Sequence, residues 1–482
     1  MPDLLIALAL VAAVLVVAAL ASGIVERTPV SFPMIFLALG FLLSRLGLLR
    51  IGPHDAVLET VAILSLSFVL FLDALNLRLE DLGKDWVVPV LSLGPGTVLT
   101  VVFVTLAASL LLGTPPLQSL LLGAILASVD PVLLRDVVRD ERIPRSVRLA
   151  LRTEAGTNDL VVLPIILVLV TIALGQGGGL GDWLLVLGRL FLLGPLVGGA
   201  IGAASVVLMN QAQARTKVSR AYQALYGVGT LLAAYVAGEE TGSSGFLAVF
   251  TAGLVVVLLD FDLCDCFLEY GEATAEMTML LAFTLFGALL SATIASVPLV
   301  PTLALAFIVL AVARPLAINL VLLRAPVSRR ARVFIGWFGP RGLSTLLFGL
   351  LLVISGVPDA ERLLSLAGVV VIVSVVLHGV SAAPLATGYA RAVARETLPE
   401  EREGTAVGLF RDAARSEPRI EPGELAERLA GANPPIVLDV RTRSSYFADQ
   451  ARIPGSVRVP PDQIAEWAAG QSRERGVIAY CT

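Results

Sequence analysis

The feature that most constrains this chain is a long series of apolar segments, each about as long as a membrane is thick. A spanning helix needs about 20 mostly apolar residues. Hydrophobic residues make up 56% of the chain and charged residues only 15%, which is not the composition of a soluble domain. We therefore predict an all-α polytopic membrane protein with about thirteen transmembrane helices. The segments lie near 4–22, 33–49, 57–75, 87–112, 117–134, 149–174, 183–208, 222–238, 244–259, 275–296, 299–324, 332–355 and 361–388.

Basic residues fall mainly in alternate loops. They cluster after the fifth, seventh and eleventh segments, in 135–152, 215–220 and 324–332, with Arg45 and Arg50 as exceptions on the other side. By the positive-inside rule, we expect a bacterial inner-membrane protein with its N-terminus outside and its C-terminus in the cytoplasm. The intervening loops without Lys or Arg are 113–118, 175–182 and 238–245.

Ionisable residues within spans are costly, so each one indicates a functional site. The fifth segment contains Ser128-Val129-Asp130-Pro131, in which a carboxylate precedes a proline. Proline lacks an N–H and frees backbone carbonyls, so we expect the helix to be interrupted here.

A second polar motif opens the sixth segment. Glu154 and Asn158 are four residues apart and share a helical face, and Asp159 follows directly. Together with Gly156 they predict an oxygen-lined pocket suited to a hard cation such as Na⁺.

A third motif, Gly339-Pro340-Arg341-Gly342, lies in the twelfth segment, and Arg314-Pro315 lies in the eleventh. We expect both to break their helices beside a cation. The interrupted fifth and twelfth segments are seven apart and must run in opposite directions. This spacing predicts inverted repeats with two interrupted crossing helices, whose ends Asp130 and Arg341 are suited to offset.

Two further polar residues are less informative. Asp73 fits a helix end as well as it fits a functional site. We interpret His378, in the last segment, as a packed polar group rather than a proton relay.

With these motifs in place, residues 1–390 resemble the bacterial sodium/proton antiporters of the cation/proton antiporter-1 family, with the Asn158-Asp159 pair as the specific element. The resemblance implies a thirteen-helix fold, a homodimer, and a moving core domain beside a dimerisation domain. It also implies that Asp159, with Asp130, binds Na⁺ or a proton in competition, and that Asn158 stands where electrogenic relatives have an aspartate. Glu154 would pair with Arg314.

Two oxygen ligands common in that family are absent here. Val129 stands where threonine is usual before the first aspartate, and Ala155 where serine follows the glutamate. Ser128 and Thr157 are the candidate substitutes.

After a predicted linker over 391–415, residues 416–482 resemble part of a rhodanese-like cytoplasmic domain, a small α/β fragment. The matching elements include Leu438-Asp439-Val440-Arg441 and a cysteine, Cys481, at the place of the family's persulfide carrier. Since the sequence stops one residue later, we expect a truncated domain without sulfur transfer.

The expected function is that of a secondary active antiporter rather than an enzyme. It would exchange Na⁺, or Li⁺, for H⁺ by alternating access, one for one and electroneutrally, for pH and sodium homeostasis. We expect no cofactor beyond the transported ions, membrane lipid as a partner and, at a net charge of −4, no nucleic acid. A K⁺/H⁺ antiporter, a sodium-coupled solute symporter and a membrane-anchored rhodanese-type sensor stay open as alternatives.

Overall fold

A computed structural model provides the fold of most of the chain. The described residues are 2–25, 28, 31–76, 86–140, 142–176, 178–216, 218–259, 265–396, 420, 422–431, 434–441, 443–448, 451–471 and 476–480.

The part before residue 397 is helical wherever it has regular structure, and each predicted apolar segment contains helix. The helices are α1 Pro2–Val25, α2 Phe32–Arg45, α3 Ala56–Leu75, α4 Val87–Leu112, α5 Pro116–Ile125, α6 Arg135–Arg139, α7 Arg145–Ala173, α8 Leu180–Arg215, α9 Arg220–Glu240, α10 Gly245–Leu258, α11 Asp265–Thr293, α12 Leu299–Val321, α13 Arg329–Trp337, α14 Leu343–Ile354 and α15 Ala360–Arg395.

Length and apolarity identify membrane-spanning candidates among these helices. Within the described ranges, seven are long and apolar enough to cross a membrane. They are Ala56–Leu75, Val87–Leu112, Arg145–Ala173, Leu180–Arg215, Tyr270–Ser296, Leu299–Val321 and Ala360–Arg395. The all-α polytopic class is therefore confirmed, while the count of thirteen spans and the orientation of the termini stay predictions.

The helices associate in two groups. The first group contains α1, α2, α3 and α8–α11, with α2 packed along α11 and α10 along α3. The second contains α4–α7 and α12–α15, with α4 packed along α5 and α14 along α15. Fewer contacts join the groups, mainly from α3 and α11 to α14 and from α2 to α15.

Two helices of the second group are interrupted near their middles. After α5 ends at Ile125, the chain is non-helical over 126–131, forms a 3-10 turn at Val132–Leu134 and enters α6. After α13 ends at Trp337, it is non-helical over 338–342 and re-enters helix as α14. Both interruptions coincide with the proline motifs of the sequence.

Arg314-Pro315 behaves differently from its prediction. α12 continues through it by way of a π-helical stretch, Ile308–Ala313, so the expected break is wrong. The wider π turn accommodates the proline ring and the missing N–H without ending the helix. α4 contains the same device, Ser92–Gly96, around Pro95. The fourth and eleventh segments are thus alike, as are the fifth and twelfth, which fits a repeat offset of seven.

The C-terminal part contains α16 Pro422–Ala430, α17 Arg443–Ala448, α18 Ile464–Ala469 and three strands, β1 Ile436–Asp439, β2 Val457–Arg458 and β3 Val477–Tyr480. The strands form a parallel sheet in the order β2-β1-β3. Its small α/β architecture suits the predicted class, but the rhodanese-like assignment stays a prediction.

The last helix before the tail is longer than expected. α15 continues to Arg395, into the residues predicted as linker. α17 packs against α15, and the 3-10 turn Pro461–Gln463 packs against α7.

The first helix group depends on a close crossing of α2 and α11. A Cβ atom placed on Gly40 would collide with the carbonyl of Thr284, and one placed on Gly287 would collide with that of Leu37. Hydrogen at both positions lets the two backbones touch, which is a common way for membrane helices to associate.

We expect Gly287→Ala to lower the thermal unfolding midpoint of the detergent-purified protein by several degrees, because the added methyl group must push α2 and α11 apart. Gly229→Ala in α9 is the matched control, since a Cβ there meets nothing within 4 Å. Equal midpoints for the two variants would contradict the close crossing.

Candidate functional site

The two helix interruptions lie against each other, and each is completed by the other's charged residue. Arg341, which is 0% exposed, donates through Nη1 to the carbonyls of Ala127 (3.2 Å) and Ser128 (2.8 Å). These carbonyls lie just beyond the end of α5, where helical partners are missing and the helix dipole is negative. A buried cation therefore satisfies the carbonyl end of the opposite helix.

Asp130 makes the reciprocal contact. Its Oδ2 accepts from the backbone N–H of Leu343 (2.8 Å), the first residue of α14, where the dipole is positive. Its own N–H donates to the carbonyl of Pro340 at 2.9 Å. A Cβ on Gly342 would collide with the Asp130 carboxylate, so glycine permits this approach. Asp130 is 2% exposed, which excludes a simply hydrated position.

Asp159 lies beside this crossing in the middle of α7. It is 4% exposed, and its Oδ1 accepts from the Ser128 hydroxyl at 2.8 Å. The Ser344 hydroxyl, at the start of α14, also hydrogen-bonds the Asp159 carboxylate. The carboxylate thus contacts both interrupted helices, so a change in its charge would alter its hydrogen bonds to each of them.

Asn158 fixes the non-helical stretch beside Asp159. Its Oδ1 accepts from the Val129 N–H (3.2 Å), and its Nδ2 donates to Thr97 Oγ1 (3.0 Å) at the end of the π turn in α4. The Thr157 hydroxyl donates to the Thr153 carbonyl on its own helix. In this arrangement Asn158 holds the break to α4, and Thr157 makes a local contact.

A third carboxylate, from the other helix group, lies near the site. Asp73 of α3 lies beside Gly156, where an added Cβ would be 3.9 Å from its Oδ1. It interacts electrostatically with Asp159 and Asp130. The sequence does not distinguish a functional position from a helix end for Asp73, because nothing along the chain indicates which face of α3 meets α7.

Glu154 and Arg314 form a buried ion pair one turn before Asn158. Both side chains are almost inaccessible. Arg314 also donates through Nη2 to the carbonyl of Phe338 at 3.2 Å, just beyond the end of α13. A Cβ on Gly339 would collide with the Arg314 side chain. The pair therefore joins α7, α12 and the second interruption.

Among the predicted residues, the structure brings together Asp159, Asp130, Asn158, Ser128 and Arg341, with Glu154 and Arg314 next to them. Cys481 lies outside the described residues. Sequence reasoning missed Ser344 and Thr97; each follows a Gly-Pro motif, Gly339-Pro340 and Gly94-Pro95, and that proximity is the signal that could have indicated them.

Comparison with protein families places this arrangement in a known class. Residues 12–388 match the family described as "Sodium/hydrogen exchanger, transmembrane". The chain belongs to this family of transmembrane sodium/hydrogen exchangers, which are secondary transporters rather than enzymes. The family resemblance drawn from the Asn158-Asp159 motif is confirmed.

The similar curated proteins are antiporters with different ions in their names. The K(+)/H(+) antiporter NhaP of Alkalimonas amylolytica is 29% identical over 373 residues, which cover 76% of this chain and 64% of that protein. The Na(+)/H(+) antiporter ApNhaP of Aphanothece halophytica is 28% identical over 236 residues, which cover 49% of this chain and 43% of that protein. This chain thus spans less than two-thirds of the length of either relative.

The sodium proton antiporter MjNhaP1 from Methanocaldococcus jannaschii has a similar fold. The likeness has a TM-score of 0.66 at 20% identity and covers 80% of this chain and 99% of that one.

The buried ion pair leads to a prediction about stability. Glu154→Gln should lower the folded yield and the thermal midpoint strongly, because removing one partner leaves a buried charge uncompensated, at a cost of about 3–5 kcal/mol. The measurement is thermal unfolding of the purified protein in detergent.

The control is the exposed ion pair of Arg330 with Glu396, 3.1 Å apart. Glu396→Gln should change little, since exposed pairs contribute about 0–1 kcal/mol. A Glu154→Gln variant as stable as Glu396→Gln would show that the buried pair is not structural.

Proposed function

We propose that this chain exchanges a monovalent cation for H⁺ across a bacterial inner membrane. Na⁺ is the first candidate ion, and Asp159 is the binding group that the cation and the proton share. The observation that carries the proposal is Asp159 itself, a nearly inaccessible carboxylate in the middle of a spanning helix, in contact with both interrupted helices. Membership of the exchanger family supports the same activity.

Competition at Asp159 couples the two ions. An empty ionised carboxylate is costly in a membrane interior, so either a cation or a proton must neutralise it before the site can cross the barrier. Either ion excludes the other, and neither crosses without exchange. One exchanging carboxylate gives one cation for one proton, which is electroneutral.

The proposed cation ligands are carboxylate oxygens of Asp159 and Asp130 and hydroxyl oxygens of Ser128 and Ser344. Asp73 lies close by. Among the described residues, no three His, Cys, Asp or Glu side chains converge closely enough to hold a metal ion. Hydroxyls, backbone carbonyls or water would therefore complete the coordination, as is usual for hard cations.

A cleft lies between the two helix groups, near the start of α15. It has a volume of about 590 Å³ and is lined by Thr293 and Ser296 at the end of α11 and by Gly356, Glu361 and Ser365 around the start of α15. Relative movement of the groups would open or close it. We further propose that the exchanger is a homodimer embedded in lipid, which its family resemblance implies.

K⁺ is the second candidate ion, because several relatives carry K⁺/H⁺ in their names. A sodium-coupled symporter and a membrane-anchored rhodanese-type sensor have weaker support, since the matching family is one of sodium/hydrogen exchangers and the similar proteins are named as antiporters.

Asp159→Asn should abolish exchange, because an amide cannot alternate between binding a cation and binding a proton. The assay is alkalinisation of acid-loaded proteoliposomes on addition of Na⁺, Li⁺ or K⁺, in which the wild-type response identifies the ion. Asp182→Asn, at the exposed start of α8, is the matched control. Normal cation-driven proton flux in Asp159→Asn would refute the proposal.

Asp73→Asn should weaken cation binding without abolishing exchange, because an amide replaces a carboxyl group that lies near Asp159 and can attract or ligate a cation. We expect an apparent KM for the cation about tenfold higher, equivalent to about 1.4 kcal/mol. Glu59→Gln, in the first turn of the same helix, is the control. An unchanged KM in Asp73→Asn would place Asp73 outside the binding site.

A further inference from the structure

The second interruption exposes backbone groups that its own helices cannot satisfy. These groups are the carbonyl of Trp337, the last residue of α13, and the N–H of Arg341, within the break over 338–342. In a membrane interior no bulk water is present to bond them, and each unsatisfied group would cost several kcal/mol. The Arg341 N–H is bonded by a side chain of α15, and the Trp337 carbonyl, which accepts from the N–H of Gly339 at 2.9 Å, has a second partner on α15.

Ser374 and His378 make these bonds. They are four residues apart on α15, share one face of the helix and are fully buried. The N–H of Arg341 donates to Ser374 Oγ at 2.6 Å. Ser374 Oγ lies 3.2 Å from His378 Nδ1, and His378 Nε2 lies 3.0 Å from the Trp337 carbonyl.

Each ring nitrogen of His378 lies 3.0 Å from a backbone carbonyl, Nδ1 from that of Ser374 and Nε2 from that of Trp337. With the ring hydrogen on Nε2, the ring donates to the Trp337 carbonyl, and Nδ1 accepts from Ser374 Oγ, whose own hydrogen is free because it accepts from Arg341. With the ring hydrogen on Nδ1, the ring would donate to the Ser374 carbonyl instead. Of these two neutral forms, the first gives the Trp337 carbonyl a donor from the ring.

We propose that Ser374 and His378 form a brace that holds the break over 338–342 and thereby positions the cation site. The proposal rests on the proposed function. Both are positioning residues, acting through Arg341 and Pro340 rather than touching the cation.

The contacts of Arg341 explain why the brace affects the site. In the described part of the chain, only Nη1 of its guanidinium has hydrogen-bond partners; Nε and Nη2 have none. The backbone bond to Ser374 therefore contributes much of what fixes this residue. Through Arg341 and Pro340 the brace fixes the carbonyl of Ser128 and the N–H of Asp130, and the Ser128 hydroxyl bonds Asp159.

The same geometry distinguishes positioning from proton transfer. Both ring nitrogens of His378 are engaged within the brace, by Ser374 and by the Trp337 carbonyl. A side chain of similar length that donates a hydrogen bond to the Trp337 carbonyl should therefore preserve cation exchange, whether or not that side chain can titrate. Glutamine can place an amide N–H where His378 Nε2 lies.

The experiment compares variants in proteoliposomes across a range of pH and cation concentration. Ser374→Ala and His378→Leu should each raise the apparent KM for the transported cation about tenfold, with a smaller change in maximal rate. Their double variant should be no worse than the poorer single, because both act through one chain. His378→Gln should restore most of the wild-type KM and keep the wild-type pH profile.

Ser381→Ala is the matched control on the same helix. Its hydroxyl accepts from the Trp337 indole (3.1 Å) but does not touch the backbone of the break, so the KM should stay near the wild-type value. An unchanged KM in Ser374→Ala, or a displaced pH profile in His378→Gln, would overturn the brace. If His378→Leu fails to fold, Ser374→Ala and His378→Gln decide.

A wild-type protein that exchanges no cation would refute the proposed function rather than the brace. Thermal unfolding then tests the brace separately. The Ser374→Ala/His378→Leu double variant should lose no more stability than the less stable single variant, whereas additive losses would overturn the inference.

Discussion

The structure depends on the reciprocal satisfaction of two broken helices. A break in a membrane helix leaves backbone carbonyls on one side and N–H groups on the other, and neither can turn to bulk water. Here Arg341 bonds the carbonyls beyond α5, and Asp130 bonds the first N–H of α14. Each break is thus completed by the charged residue of the other, which makes the crossing a single unit.

The groups around the crossing are held by bonds of very different kinds. The Glu154–Arg314 ion pair joins α7 to α12 and bonds a carbonyl beyond α13. Asn158 ties the first break to α4, while the proposed brace from α15 holds the second. Asp159 is the member whose charge the proposed exchange would change. A rigid frame around one exchangeable carboxylate suits a transporter in which occupancy must control movement.

The division into two helix groups would allow the second group, which contains this frame, to move relative to the first. Most packing lies within each group, and the α2–α11 crossing at Gly40 and Gly287 makes the first group compact. Asp73 comes from the first group, whereas Asp130 and Asp159 come from the second. Asp73 therefore faces the other two carboxylates across the boundary between the groups, and relative movement would change its distances to them. The cleft near the start of α15 lies at the same boundary.

The sequence alone determined the membrane class and the two interruptions. It also indicated Asp130, Asp159 and Arg341 as the ionisable residues beside them. These features follow from apolar length, proline chemistry and the cost of buried charge, which are local properties. Tertiary structure decided the rest. It showed that a π turn carries α12 past Pro315, that Ser344 hydrogen-bonds Asp159, and that Asp73 lies near enough to interact with Asp159 electrostatically. It also placed Ser374 and His378 against the backbone of the second break. Those contacts depend on which helix faces meet across the fold, and spacing along one chain does not encode that.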